Sequence, residues 1–138
     1  MNSDLKNIHK MAQDITADAL NQIMNAKRAG KTEVEIKRIS KLLVRLLGIM
    51  KQNEYIEFEV DNENPKKPKA KIKLKKLNYC KAVKPRFDVQ TKDIEKYLRR
   101  FLISRNFGIL VVSTSKGLMN QHDAISNNLG GSLIAYFY

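Results

Sequence analysis

The sequence predicts an α+β protein of two small domains, residues 1–76 and 77–138. Three observations carry that prediction. Apolar residues recur at three- and four-residue steps from Leu5 to Met50, as on amphipathic helices. The period falls to two at Tyr55, as on half-buried strands. After Lys76, short apolar runs alternate with short helical patterns, so the second half reads as β-rich with short helices.

The elements follow in order. Leu5, Ile8, Ala12, Ile15, Ala19 and Ile23 define one face of a first helix, with Gly30 as its stop and Lys27 and Arg28 near its C-terminus. A short strand is expected over Glu33 to Lys37. The second helix buries Ile39, Leu42, Leu43, Leu46, Leu47 and Met50 and presents Lys41, Arg45 and Gln52. Ser40 is its expected N-cap, because a short side-chain oxygen can accept from an amide that the helix start leaves open.

In YIEFEV, Ile56, Phe58 and Val60 alternate with polar residues, and in AKIKLK, Ala70, Ile72 and Leu74 alternate with lysines. These are expected to pair as antiparallel strands across the loop DNENPKKPK, whose Pro65 and Pro68 mark an exposed turn. The first half is therefore a helix-strand-helix-strand-strand unit. In the second half, LNYCKAVKPRFDV predicts a strand closed by a turn at Pro85. A helix with Ile94, Leu98, Phe101 and Leu102 inward follows, then a strand from Phe107 to Val112. One or two helical turns over Asn120 to Asn127 and a closing strand from Leu133 to Tyr138 complete it.

Charge narrows the function. Twenty-six Lys and Arg against fourteen Asp and Glu give a net +12 and a pI near 9.9. Such a surplus repels itself in a compact fold unless a polyanion neutralises it, with nucleic acid the first candidate and an anionic membrane surface the second. The surplus is uneven: Asp61 to Arg86 holds ten basic residues against two acidic ones. A lysine row such as Lys71, Lys73 and Lys75 has two readings, a solvated edge guarded against aggregation or a polyanion contact. A single cysteine, Cys80, and two histidines, His9 and His122, exclude a disulfide framework and a structural zinc site. The polar N-terminus is not a signal peptide, and no apolar run approaches the ~18 residues a bilayer span needs. These features predict an intracellular soluble protein without cofactor.

One stretch raises a chemical question. Ser113-Thr114-Ser115-Lys116-Gly117 follows an apolar run, and Gly130-Gly131 lies further on. Ser113 and Lys116 match the S-x-x-K spacing of lysine-assisted serine hydrolases, but that chemistry needs both on one helical turn, whereas this motif leaves a strand. A nucleotide-binding Gly-Lys loop fails too, since the order here is Lys116-Gly117 and no glycine lies between Leu110 and Ser115. Asp14, Asp18, Asp93 and Glu95 read as helix-surface charges, and His9 and His122 as exposed side chains. A turn bearing three hydroxyls, free amides and one cation can instead bond phosphates, ribose hydroxyls and base edges. Gly130 and Gly131 would let a second backbone segment approach the same ligand. The alternative is that Ser-Thr-Ser only caps a turn. Tyr136 and Tyr138 are open between stacking on bases and packing in a core.

VVSTSKGLM followed by LGGSLIAYFY resembles the C-terminal signature of the universal small-subunit ribosomal protein number eight family, called fifteen-a in eukaryotes. TADALNQIMNAKRAGK resembles the family's first helix, and ISKLLVRLLGIMKQNEYIEFEV its second helix and following strand. LNYCKAVKPRFDVQTKDIEKY resembles the stretch between domains in the eukaryotic and archaeal form.

The resemblance implies an N-terminal α/β domain packed on a β-rich C-terminal domain. It implies a structural protein, not an enzyme, that binds the central domain of small-subunit ribosomal RNA and organises it during assembly. Its implied partners are that RNA and neighbouring small-subunit proteins, with no membrane and no small-molecule substrate. The implied RNA-binding residues are Ser113, Thr114, Ser115, Lys116, Gly117, Gly130 and Gly131, together with Asn25, Lys27, Ser40 and Lys41 at the two helix ends. PRFDV points to a cytosolic ribosome, with nucleolar transit in a eukaryote. Lys116 departs from the eukaryotic pattern, the loop NENPKKPK from all familiar forms, and about ten N-terminal residues extend beyond the usual start. The rival function is repression of a messenger RNA away from the ribosome.

Overall fold

The computed structural model describes residues 15–84, 86–102 and 107–138. The expected helical positions Leu5, Ile8 and Ala12, together with His9, Asp14 and the turn residue Pro85, lie outside the described residues. The chain forms two compact α+β units, dividing after Lys75.

In the first unit, α1 (Ile15–Arg28) buries Leu20, Ile23 and Met24. Gly30 ends it at a φ of 77°, a left-handed conformation that costs a residue without Cβ little. Its amide donates to the Lys27 carbonyl, and that of Lys31 to Ala26, so two open carbonyls of the last turn are satisfied. β1 (Glu33–Ile36) is one residue shorter than expected. α2 (Lys41–Gln52) begins at Ser40, whose Oγ accepts from the Leu43 amide at 3.1 Å. Leu43, Leu46, Leu47 and Met50 are fully buried, while Ile39 precedes the helix and is half-buried.

β2 (Ile56–Asp61) and β3 (Lys69–Leu74) form the expected hairpin, and β1 adds to the other edge of β3, giving the antiparallel order β1-β3-β2. Ile36, Ile56, Ala70 and Ile72 point into the core, and the charged positions between them point out. α1 packs on β1, and α2 on β2.

Among its described residues, the second unit is a five-stranded antiparallel sheet with three short helical segments. β4 (Cys80–Ala82) and β5 (Asp88–Val89) both pair with β8 (Gly131–Phe137). A 3₁₀ turn (Thr91–Asp93) leads into α3 (Ile94–Phe101). β6 (Ile109–Thr114) lies between β8 and β7 (Gly117–Asn120), and α4 (Gln121–Ser126) follows. Asn120 caps α4 by accepting from Asp123 at 2.8 Å. Ile94, Leu98 and Leu102 bury against Leu110, Val112 and Leu133, as the spacing expected. Buried Gln121 accepts from the Leu110 amide at 2.9 Å and donates to the Gly108 carbonyl at 3.0 Å, pinning α4 to the start of β6.

Besides the shorter β1, the strands of the second unit differ from the sequence reading: β6 begins at Ile109 and not Phe107, and β8 ends at Phe137 and not Tyr138. β6 extends through Ser113 and Thr114, which were expected in a turn, because they pair with Ser132 and Gly117. β7 was not expected. β8 begins two residues early, at Gly131, which pairs with Val89.

Candidate nucleic-acid interface

β6 and β7 form a tight hairpin in which Thr114 pairs with Gly117 and only Ser115 and Lys116 turn the corner. Gly117 has a φ of 107°, the conformation a glycine supplies after a tight turn. Thr114 locks this tip: its Oγ1 donates to the Gly117 carbonyl at 2.9 Å and accepts from the Lys116 amide at 3.1 Å. Its hydroxyl proton is thus committed to the turn. Ser113 and Ser115 bond no described residue through their hydroxyls, and Ser115 and Lys116 are exposed. Of the three hydroxyls expected on a turn, that of Thr114 therefore shapes the turn, while Ser113 is half-buried on β6 and Ser115 is exposed at the corner.

The glycine pair is brought to this hairpin by β8. Ser113 pairs with Ser132, so Gly131 runs directly beside the Ser113–Thr114 backbone. A side chain on Gly131 would occupy the place of the Ser113 carbonyl oxygen, and one on Gly130 would meet the Val89 carbonyl at 2.5 Å. Both glycines are thus required by the protein's own backbone. Ser132 donates its hydroxyl proton to Asp88 across β5 and β8, a contact the sequence did not signal. Ser113, Thr114, Ser115, Lys116, Gly117, Gly130 and Gly131 form one surface region. The S-x-x-K spacing straddles a hairpin, with Ser113 on a strand and Lys116 in the turn. Among the described residues no group of His, Cys, Asp or Glu is placed to hold a metal ion.

The residues expected on the first unit do not form a single site. Asn25 is exposed beside a shallow depression that also includes Glu33 and Glu35. Lys27 is two positions further on the helix and so points elsewhere. Ser40 and exposed Lys41 border a separate cavity with Arg45 and Asn62.

The lysine row resolves as well. On the outer face of the first sheet, Lys73 lies in register between Glu33 and Glu57, and Lys71 between Glu35 and Glu59. Ion pairs join Lys69 to Glu35 at 3.5 Å, Lys71 to Asp61 at 3.8 Å and Lys75 to Glu57 at 3.8 Å. Exposed pairs of this kind add little stability, but they neutralise the face. Tyr136 and Tyr138 pack within the second unit. Tyr136 stacks on Phe101 at 5.2 Å between ring centres, and Tyr138 on Tyr79 at 5.6 Å. His122 is exposed, as expected.

The site is thus a polar hairpin tip, closed by Thr114 and Gly117, on a small α+β scaffold. Residues 14–138 match the family model for ribosomal protein S8. Two curated relatives, the small ribosomal subunit proteins uS8A and uS8B of Schizosaccharomyces pombe, are each 37% identical to the chain over 127 residues. Those alignments cover 91% of this chain and 98% of each relative. The chain belongs to the ribosomal protein S8 family, which is a family of ribosomal structural proteins and not of enzymes.

Proposed function

We propose that the protein is a non-catalytic constituent of the small ribosomal subunit that binds and organises the central domain of its ribosomal RNA during assembly. The observation that carries this reading is the hairpin tip. Thr114 and Gly117 hold the turn rigid, while the Ser113 and Ser115 hydroxyls and the Lys116 side chain remain available to an RNA ligand. Preorganised hydroxyls beside a cation suit RNA, whose irregular regions expose phosphates, ribose hydroxyls and unstacked base edges together. The family match and the surplus charge support the same reading. Recognition of RNA shape then rests on residues 77–138, and residues 1–76 contribute cations that neutralise phosphate without sequence preference. The place of action is the cytosolic ribosome, reached through the nucleolus in a eukaryotic cell, among neighbouring small-subunit proteins.

Ultraviolet crosslinking in cells, followed by sequencing of the attached RNA, tests this. The crosslinks are expected to concentrate in the central domain of small-subunit ribosomal RNA and to thin out in a Ser113→Ala, Ser115→Ala variant. Crosslinks centred on one messenger RNA would instead favour a repressor acting away from the ribosome.

A further inference from the structure

β2 is an open edge of the first sheet. Among the described residues it pairs only with β3, and no strand adjoins its other side. The Lys75 amide donates to the Tyr55 carbonyl, in the same register as the β2–β3 ladder. Bonded pairs alternate in an antiparallel ladder, so Glu57, Glu59 and Asp61 turn their backbone groups towards β3. Phe58 and Val60 therefore turn theirs outward, where no described residue meets them. With six residues, no proline and no bulge, β2 has the length and regularity to take a further extended backbone.

The side chains select which backbone. β1 reads EVEI and β2 reads IEFEVD, whereas β3 between them reads KAKIKL. Two acidic strands thus flank a basic one, and Lys71 and Lys73 are each set between two glutamates. Opposite charges facing each other across strands favour pairing, and like charges oppose it. The chain's own β3 shows what β2 accepts: lysines opposite Glu57 and Glu59, and an apolar residue opposite Phe58. Phe58 and Val60 are only half-buried, so the edge still has apolar surface to cover. A cavity of about 400 Å³ is lined in part by Glu57, Phe58, Glu59 and Lys51, which leaves open space beside both faces of the strand.

A second copy of β2 would set carboxylates against carboxylates. RNA would bring phosphates to a strand whose charged side chains are all acidic. A basic strand instead continues the acidic–basic alternation across the sheet. We propose that the free edge of β2 docks an extended segment of another protein, in which lysine or arginine alternates with apolar residues, as a fourth strand. This site is separate from the hairpin tip and holds whether or not the tip binds RNA.

Nuclear magnetic resonance of the isotope-labelled full-length protein, titrated with a synthetic peptide alternating lysine with valine, tests the proposal. Without peptide, the Phe58 and Val60 amides are expected to exchange with solvent faster than those of Glu57 and Glu59. Protection there would mean that the edge is already covered, and would overturn the proposal. Added peptide is expected to shift and protect the Phe58 and Val60 amides. Methylating the backbone amides on the pairing side of the peptide keeps its charge and should weaken binding by about tenfold or more. A Glu57→Gln, Glu59→Gln variant should weaken it by about threefold or more. Val60→Pro removes an outward amide, leaves the ladder to β3 and should abolish the protection. If that variant does not fold, the methylated peptide decides. Equal binding of the methylated peptide, or of one with its lysines in a single block, would reduce the contact to charge attraction and overturn the proposal. No shift of these amides at millimolar peptide would do the same. Self-association protecting the edge would replace the partner by a second copy, and oligouridylate displacing the peptide there would replace it by RNA; either result overturns the proposal.

Discussion

The carbonyl oxygen of Ser113 fills the place where a side chain on Gly131 would lie. β8 approaches β6 there while also pairing with β5, so the backbone is enclosed on both edges. Gly131→Ala must push β6 and β8 apart and should cost about 3 kcal/mol, the upper range for overpacking. Gly48 is the opposite case, a mid-helix glycine in α2 with nothing within 4 Å of a built Cβ. Gly48→Ala should stabilise by about 0.5–1 kcal/mol. Urea denaturation of the two variants checks both signs.

Thr114 and Ser115 should separate shape from contact. Thr114→Ala removes both bonds that close the turn and is expected to lower stability by about 1 kcal/mol and weaken RNA binding with it. Ser115→Ala leaves the turn intact and should lose RNA affinity alone, by about 1–3 kcal/mol if its hydroxyl makes a good contact. Denaturation and binding of cognate ribosomal RNA, measured on the same preparations, distinguish the two. Thr114→Ser is expected to restore the turn.

Cys80 supplies a pH test. Burial pushes its thiol up to about 12 from an ordinary 9.0. The folded state thus holds its proton more tightly than the unfolded chain. This contribution is complete below pH 9 and declines as pH rises towards 12, by up to about 1.4 kcal/mol per unit. Cys80→Ala should flatten that alkaline fall. A thiol reagent at pH 8 should label Cys80 only in denaturant.

Much of the fold was legible because its signals are local. The switch from Leu46–Leu47–Met50 spacing to Ile56–Phe58–Val60 alternation marks a helix and then a strand in the sequence itself, and Ser40 caps where its position required. β7 was not legible, since all four of its residues are half-buried and give no alternation. β5 has two residues, too few for any period. Ser113 and Thr114 read as a turn because hydroxyls suit turns, yet their strand partners come from 117 and 132.

The candidate site divides in the same way. The hairpin motif could be found by its residue types and by family resemblance. The neutralisation of Lys71 and Lys73 depends on which strands flank β3, and no local pattern reports that. A cavity lined by Lys37, Arg38, Lys66 and Lys67 joins residues from either side of α2 and β2, so only the folded chain displays it.

The most direct test of the central claim is sedimentation of a cell lysate through a sucrose gradient at moderately high salt, with this protein detected in each fraction. Comigration with small subunits and whole ribosomes is the predicted result, because contacts at the hairpin tip should persist when phosphate attraction is screened. Recovery of the protein only in RNA-poor fractions at the top of the gradient would contradict the assignment to the small subunit.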